Sequence, residues 1–308
     1  MIILGIADSH ESHACVVKNG RLLSALAEER LSRLKADMGY PTQAVASALE
    51  IAGVHPREVD RVVFAGRAGS AFMRIYKRTA LFEISDWLEQ NHKYWKPKLY
   101  EAQPLTPLDD YQHHKHLRGD DLGSDPYFGF VERARQTRPE KWSQVMREVQ
   151  QQAVTAQLGI PAERIFFLRH EDCHKAYGYH SAPARPERAL VLTIEGGGDD
   201  SSATVSTVTR RVIDEHWKSN EVSLGRLYRN ATLLLGMKPG QHEYKVMGLA
   251  PYGTEYYGRK SLEFFRRIDA VEGNAIVRKP GVKDLYFSLF MPFGTNVRRW
   301  MTLVSAPS

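Results

Sequence analysis

The pattern of apolar and polar positions divides the chain into two β-rich ends and a helical middle. Short apolar runs bounded by turn residues predict buried strands, and the run ALVLTIE at 189–195 predicts a fully buried one. Asn19-Gly20 separates two such runs and is the strongest short signal for a β-hairpin. The predicted strands cover residues 2–7, 13–18, 21–28, 60–65, 164–168, 189–195 and 203–209, and the predicted helices cover residues 41–52, 139–158, 170–180, 223–236 and 243–250.

Residues 67–160 form the helical middle and are rich in Lys, Arg, Trp, Tyr and His. The segment 101–127 contains prolines, glycines and pairs of acidic residues, so a loop is predicted there. Because strands are predicted on both sides of this region, we expect residues 1–66 and 161–308 to form one mixed α/β domain and residues 67–160 to be a helical insertion. For residues 280–308, a weak strand or coil is predicted.

The composition is that of an ordinary globular protein, with 308 residues of which 43% are apolar and 25% charged. No apolar run reaches about 18 residues, the length of a membrane span, and the N-terminus lacks the basic leader of a signal peptide. Cys15 and Cys173 are far apart, which argues for the reducing cytoplasm. The net charge of +6 favours an anionic partner, but the basic residues are scattered, so we expect a phosphate-bearing ligand rather than nucleic acid.

His170 and His174 are four residues apart in 169-RHEDCHKAYGYH-180, which places both imidazoles on one face of a helix, within reach of one metal ion. Together with Glu171 they also match His-Glu-x-x-His, the pattern of a zinc peptidase whose glutamate activates a bound water. That pattern normally lies inside an established helix, whereas here an apolar, strand-like run ends two residues before His170. A third hypothesis is that the histidines only cap the helix or lie on its surface.

Four segments follow one another across about 250 residues and carry a resemblance to a known family. They are LGIADSHESHACVVKNGRLLSALAEERLSRLK, 170-HEDCHKAYGY-179, 192-LTIEGGGDDSSATV-205 and SLGRLYRNATLLLGMKPGQHEYKVMGLAPYG, in which 243-EYKVMGLAPYG-253 is the most specific part. Together they resemble the bacterial O-carbamoyltransferases of the nodulation-factor, cephalosporin and aminoglycoside or novobiocin type. The resemblance implies the actin-like ATPase fold, a ribonuclease H-like α/β fold close to the domain that transfers threonylcarbamoyl groups to tRNA.

By this resemblance, His170, His174 and Glu195 hold a metal ion. The family implies iron, and imidazole and carboxylate ligands also suit zinc or manganese. The implied activity is transfer of a carbamoyl group from carbamoyl-adenylate, which is made from carbamoyl phosphate and ATP, to a hydroxyl group of a small natural product or sugar. Such a metal can polarise a carbonyl or phosphoryl oxygen as a Lewis acid.

The resemblance also implies residues for catalysis and for cofactor binding. A histidine on the turn after the first strand could deprotonate the acceptor hydroxyl, lysines could neutralise phosphate charge, and a glycine turn has the dihedral freedom to bring backbone N–H groups close to a phosphate. These residues are His10 and Lys35 for catalysis, and Gly196, Gly197, Gly198, Glu243 and Lys245 for cofactor binding. Taken alone, the glycines would be a plain turn and the lysines solvated, and we interpret His113, His114 and His116 as a solvated loop.

The sequence departs from the family pattern in its ligands and in its length. Glu195 stands where the family has Asp, and Glu171 stands where it has a second histidine. Family members are much longer, and we find no counterpart here of the Gly-Gly-Val-Ala-Leu-Asn segment, of a further acidic ligand or of the domain that makes carbamoyl-adenylate. We therefore expect a fragment, a chain that needs a partner chain or forms a homodimer, or a non-catalytic binding or assembly module of the same fold.

Overall fold

The computed structural model describes residues 1–67, 71–222, 224–273 and 275–282. Its strands are β1 (Ile2–Ala7), β2 (His13–Lys18), β3 (Arg21–Ala27), β4 (Arg61–Ala65), β5 (Ile165–Leu168), β6 (Arg188–Ile194), β7 (Ala203–Thr209), β8 (Val212–Ser219), β9 (Asp269–Glu272) and β10 (Ala275–Arg278). Its α-helices are α1 (Glu28–Ser32), α2 (Thr42–Ala52), α3 (Ala71–Ile75), α4 (Arg78–Leu81), α5 (Ile84–Gln90), α6 (Lys96–Tyr100), α7 (Pro107–His114), α8 (Gly129–Arg135), α9 (Trp142–Leu158), α10 (His170–His180), α11 (Leu224–Leu234), α12 (Glu243–Leu249) and α13 (Glu255–Phe265).

A five-stranded sheet with the order β3-β2-β1-β4-β5 forms the centre of the fold. β1, β2 and β3 are antiparallel, whereas β4 is parallel to β1 and β5 is parallel to β4. Asn19 and Gly20 both have positive φ, as a two-residue hairpin turn requires, so the predicted hairpin is confirmed. Three antiparallel strands extended by two parallel ones are the strand order of the ribonuclease H-like folds, which include the actin-like ATPases. The predicted fold class is confirmed.

The pleat of the strands explains which side chains form the core. Leu4 and Ile6 of β1 are fully buried, while the residues between them are less so, because successive side chains of a strand point to opposite faces. Helix α2 packs on β2 and β3 and buries Val45 and Leu49 there. Each such aliphatic side chain contributes about 1.5–3 kcal/mol to folding. Gly53 ends α2 in the left-handed conformation.

The acidic residue after β3 shows where that strand ends. We predicted a strand over 21–28, but Glu28 begins α1 instead. Its buried carboxylate accepts hydrogen bonds from the backbone N–H groups of Gln43, at 3.2 Å, and Ala44, at 2.7 Å. A carboxylate at the N-terminus of a helix satisfies N–H groups that have no partner within the helix. Glu28 therefore joins the hairpin to α2.

The segment 101–127, predicted as a loop, contains α7 and a following 3-10 helical segment. The prediction was wrong because a local helix start was overlooked: the backbone N–H of Thr106 donates to the carboxylate of Asp109 at 2.7 Å, in a reciprocal capping box. His114, which we interpreted as solvated, is fully buried, and its Nδ1 lies 3.0 Å from the carbonyl oxygen of Asp110. The histidines of this segment therefore do not share one environment.

Asp110 lies at the centre of a buried polar cluster among these helices. Its Oδ2 accepts hydrogen bonds from the Tyr76 hydroxyl and from Gln90 Nε2, each at 2.7 Å. Gln90 in turn accepts a hydrogen bond from Arg78 Nε at 2.8 Å. Burial acts to raise the pKa of the Asp110 carboxyl, but the hydrogen bonds with His114 and Tyr76 and the charge of Arg78 outweigh burial and lower that pKa.

Replacing Asp110 by asparagine is expected to reduce the free energy of unfolding by about 2 kcal/mol near neutral pH, because hydrogen bonds to a charged acceptor are lost. A carboxyl group whose pKa is lowered on folding stabilises the protein above its unfolded pKa, about 4, and that contribution is lost as the pH falls through the folded pKa. In urea unfolding, the difference between wild type and Asp110→Asn should therefore shrink below about pH 4. A difference that is equal in acid and at neutral pH would contradict the role of the charge.

A second, antiparallel sheet has the order β6-β7-β8. The prediction of a fully buried strand at 189–195 was wrong, because Leu190 and Leu192 of β6 are 65% and 58% exposed. Helix α10 packs against β6 and β7, and the side of β6 that carries these leucines is left open within the described residues. An apolar run does not reveal whether both faces of a strand are covered. The strand β8 was not predicted, because it is largely polar.

The helices between β4 and β5 pack on the same apolar core as the central sheet. The division into an α/β domain and an insertion at 67–160 stays a prediction. Most of the segment 280–308, for which weak strand or coil is predicted, lies outside the described residues. Among the described helices, none has both the length and the apolar composition that crossing a membrane requires.

Candidate metal centre

His170, His174 and Glu195 converge where two neighbouring elements meet. Helix α10 begins at His170, directly after β5, and Glu195 directly follows β6. The Nε2 atoms of the two histidines are 3.0 Å apart, and His174 Nε2 lies 3.3 Å from Glu195 Oε1. His170 Nε2 lies 4.0 Å from Glu195 Oε2. The structure therefore brings together the three residues that the family resemblance implied as metal ligands.

The arrangement of these three side chains fits a metal ion. Metal–nitrogen bonds of about 2.0–2.1 Å place two coordinated imidazole nitrogens about 3 Å apart, as the two Nε2 atoms are. Burial, and then the neighbouring His174, lowers the pKa of His170, which favours the neutral imidazole that a metal requires. Two nitrogens and a carboxylate suit iron, zinc or manganese. Within the part of the chain that the structure describes, no other group of His, Cys, Asp and Glu side chains has this geometry.

Glu171 follows the first histidine but has a structural role. Its side chain is fully buried, and its Oε1 accepts hydrogen bonds from the backbone N–H groups of Asp200, at 3.0 Å, and Ser201, at 2.9 Å. Burial acts to raise the pKa of Glu171, but hydrogen bonds from its own N–H, from Ser201 and from Asp200 outweigh burial and lower it. A zinc peptidase needs this glutamate as the general base beside a bound water. Because its carboxylate holds a turn instead, Glu171 is not available as the base that the peptidase hypothesis requires.

In the turn at 196–198, a lack of space for a Cβ atom, rather than unusual backbone dihedrals, explains Gly197 and Gly198. None of the three has a positive φ, so the dihedral freedom that we expected to matter is not used. A Cβ built on Gly198 would lie closer than 3.0 Å to Glu171 Oε1, and one built on Gly197 would lie 3.0 Å from Arg226 Nη2. The turn is therefore packed between α10 and α11. Phosphate binding by these glycines stays a prediction.

Asp199 anchors the start of α10 and was missed in the sequence. Its Oδ2 accepts hydrogen bonds from the backbone N–H of His170, at 2.8 Å, and from that of Arg67, just after β4, at 2.7 Å. Negative charge at a helix N-terminus is stabilising, so Asp199 fixes the first histidine relative to the central sheet. The only signal was an acidic residue directly after the glycines, and no local pattern links it to a residue 29 positions earlier.

A group of ion pairs holds α10 against β8. Lys175 is fully buried, and its ammonium group contacts Glu215 and, at 3.1 Å, Asp172. Arg169 pairs with the same two carboxylates, at 2.6 Å and 2.8 Å respectively. Because loss of one partner would leave a buried charge uncompensated, these pairs restrain the helix that carries both histidines.

Lys35 and Lys245, which are predicted to neutralise phosphate charge, both lie near one aromatic ring. Their Nζ atoms are 4.8 Å and 6.0 Å from the centre of the Tyr244 ring. Burial, followed by the charges of Lys245, Lys35 and Lys238, lowers the pKa of His242. The structure thus brings these two predicted residues into one positively charged region, which is the electrostatic condition for holding an anion.

Lys35 also lines an open cleft of about 390 Å³. The other lining residues, Glu29, Arg30 and Arg33, come from the segment that carries the family motif near the N-terminus. Glu29 Oε2 accepts a hydrogen bond from the backbone N–H of Ala36 at 2.8 Å and so fixes the loop on which Lys35 lies. The cleft therefore has a defined wall with mostly basic side chains.

The remaining predicted residues, Glu243 and His10, are placed differently. Glu243 Oε1 accepts a hydrogen bond from the backbone N–H of Gly240 at 2.7 Å and so holds the turn before α12. His10 is exposed on the loop between β1 and β2. In the portion of the chain described, His10 takes no part in the cluster of His170, His174 and Glu195.

A family model described as Carbamoyltransferase N-terminus matches residues 2–263. The chain is 28% identical over 267 residues to the protein sll1178 of Synechocystis sp., covering 83% of this chain and 35% of that protein. It is 26% identical over 257 residues to the nodulation protein NolNO of Sinorhizobium fredii, covering 83% and 30%. A solved structure, the ROK hexokinase from Thermus thermophilus, aligns with a TM-score of 0.35 at 13% identity, over 87% of this chain and 75% of that one. The chain spans about a third of the length of these curated relatives.

Proposed function

The chain belongs to the family of carbamoyltransferase N-terminal domains, and on that premise we propose that it serves the transfer of a carbamoyl group from carbamoyl-adenylate to a hydroxyl group of a small natural product or sugar. Carbamoyl phosphate and ATP are the proposed sources of this donor. The observation that supports the proposal is the convergence of His170, His174 and Glu195, with the two imidazole Nε2 atoms 3.0 Å apart.

These three side chains would hold a metal ion, with iron the proposed metal and zinc or manganese equally suited by the ligand atoms. When bound, the metal supplies a Lewis acid for a carbonyl or phosphoryl oxygen. Asp199 fixes the start of α10, and Glu171 fixes the turn that follows Glu195. These hydrogen bonds would orient the three ligands, as outer contacts do in a metal site.

In the proposed transfer, the acceptor oxygen forms a bond to the carbamoyl carbon, and the bond between that carbon and the phosphate oxygen breaks, so that AMP leaves. We assign the hydroxyl proton to the imidazole of His10, which is exposed and therefore open to a substrate. Lys35 and Lys245, which both lie near Tyr244, would neutralise the charge of the phosphate. The glycines at 196–198 would let backbone N–H groups approach it.

Metal content of the purified chain, measured by elemental analysis, tests this proposal. Wild type is expected to hold close to one metal ion per chain, and the double variant His170→Ala/His174→Ala is expected to lose it, because two of the three ligands are gone. His180→Ala is the matched control, since His180 is exposed at the end of the same helix and should leave the metal content unchanged. Wild type without metal, or a double variant that keeps it, would refute the site and favour a non-catalytic module.

A further inference from the structure

Helix α11 places two arginines beside the glycine turn. Arg226 and Arg229 are three residues apart on this helix and so share one face. The helix packs closely on the turn, because a Cβ built on Gly225 would lie 2.7 Å from the backbone nitrogen of Gly196. A Cβ built on Gly197 would lie 3.0 Å from Arg226 Nη2. One guanidinium group therefore lies against the segment that directly follows the metal-ligand carboxylate.

The second guanidinium group lies in a positively charged environment. Arg229 is 5.6 Å from the centre of the Trp87 ring, and Arg78 lies 3.8 Å from the same ring. Arg78 has Gln90 as a hydrogen-bond partner and the charge of Asp110 nearby. Two arginines near one buried ring need compensating negative charge, and of these two only Arg78 has a carboxylate, Asp110, close at hand.

Neither Arg226 nor Arg229 forms an ion pair with a carboxylate of the described residues. Burial, and then the charges of Arg78 and Arg226, lowers the pKa of Arg229 to about 9. Glu243 has a small opposing effect, but its carboxylate accepts a hydrogen bond from Gly240 instead. Arg229 is half-buried, whereas Arg226 is exposed. A half-buried guanidinium group without a counter-ion is unfavourable, and an anion bound from solution would remove that cost for Arg229.

We propose that Arg226 and Arg229 form a binding site for an oxyanion, a phosphate or a carboxylate, beside the glycine turn. The planar guanidinium group matches the geometry of both anions and can donate two parallel hydrogen bonds to either. Neither Lys35 nor Lys245, to which the proposed function assigns phosphate charge, is one of the residues of this site. The proposal that these arginines bind an anion does not rest on the proposed function. The identity of the anion does rest on it: the anion is either the phosphate of the carbamoyl donor or an acidic group on the hydroxyl acceptor.

Titration of the purified chain with inorganic phosphate at low ionic strength tests this site. We expect saturable binding by wild type, binding that is weaker by about 10-fold or more in Arg226→Gln and in Arg229→Gln, and unchanged binding in Arg57→Gln. Arg57 is an exposed arginine that precedes β4, at the opposite end of that strand from the turn, so its substitution matches the change in charge. No saturable binding by wild type, or equal binding by all four proteins, would overturn the proposal.

Thermal unfolding separates a binding role from a structural one. Phosphate should raise the Tm of wild type and of Arg57→Gln, since a ligand that binds only the folded state stabilises it. Arg229→Gln should have an unchanged or higher Tm without phosphate, because an unpaired half-buried charge is removed, and should show no rise with phosphate. A lower Tm without phosphate, together with a rise in Tm on addition of phosphate as large as that of wild type, would mean that Arg229 is structural. That result would overturn its assignment to the anion site.

Competition against phosphate identifies the source of the anion. Displacement by AMP would identify the phosphate of the donor, and displacement by glucuronate but not AMP would identify an acidic acceptor. Displacement by glucose, which has no charge, would overturn the proposal. The metal measurement on His170→Ala/His174→Ala distinguishes this result from failure of the proposed function: phosphate binding that depends on the two arginines, in a chain without metal, would leave the anion site standing and the transfer proposal refuted.

Discussion

Gly198→Ala is expected to reduce the free energy of unfolding by about 3 kcal/mol, the upper part of the usual range for overpacking, and to abolish metal binding. A Cβ at this position would lie closer than 3.0 Å to Glu171 Oε1 and to the carbonyl oxygen of Ser201. Neither neighbour can move freely, because Oε1 is buried under two backbone N–H donors and the carbonyl belongs to the turn itself. Relief of the overlap must therefore displace the turn, and with it Glu195.

Gly178→Ala is the matched control for this substitution, because Gly178 lies in α10 and the added Cβ would meet only Val191 Cγ1, at 4.0 Å. Alanine is favoured over glycine in a helix by up to about 1 kcal/mol, so this variant should be as stable as wild type or more stable. Urea unfolding and metal content should be measured on both variants. A Gly198→Ala protein that keeps its stability and its metal would mean that the turn is loose, and that Glu171 does not position Glu195.

The sequence predicted best where a local pattern is sufficient. The hairpin turn at Asn19-Gly20 follows from residues that favour positive φ, and α10 covers the predicted residues 170–180. The helical spacing alone predicts that His170 and His174 share a face. Glu195 is different, since only the packing of β6 against α10 brings it to them, and here the prediction came from the family resemblance rather than from spacing.

The sequence failed where the outcome depends on residues far away along the chain. Glu171 was considered only as the base of a zinc peptidase, a hypothesis that its context disfavoured, or as the residue that stands in place of a family histidine. It instead accepts hydrogen bonds from a turn 29 and 30 residues later. The exposed β6 was predicted as buried, because an apolar run is the same whether one or both faces are covered. In each case a tertiary contact decides the outcome, and such a contact cannot be predicted from the periodicity of the sequence.

Asp8→Asn is expected to reduce the free energy of unfolding by about 3–5 kcal/mol, the usual effect of breaking a buried ion pair. Asp8 follows β1, and its Oδ1 lies 3.2 Å from Nη2 of Arg74, with both side chains buried. Its Oδ2 accepts hydrogen bonds from the Tyr127 hydroxyl, at 2.7 Å, and from Gln150 Nε2, at 2.6 Å. The asparagine amide retains one acceptor but no charge, so the buried guanidinium loses this carboxylate partner.

Asp214→Asn provides the control, since Asp214 is exposed on β8 and surface carboxylates contribute little. Urea unfolding of the two variants should separate them by several kcal/mol, and the loss in the double variant Asp8→Asn/Arg74→Met should be smaller than the sum of the two single losses, because both substitutions break the same ion pair. A small effect of Asp8→Asn would mean that apolar packing alone holds Tyr127 and Gln150 on the central sheet. A large effect would make this carboxylate the polar link between the sheet and the helical region, two residues before the loop residue His10.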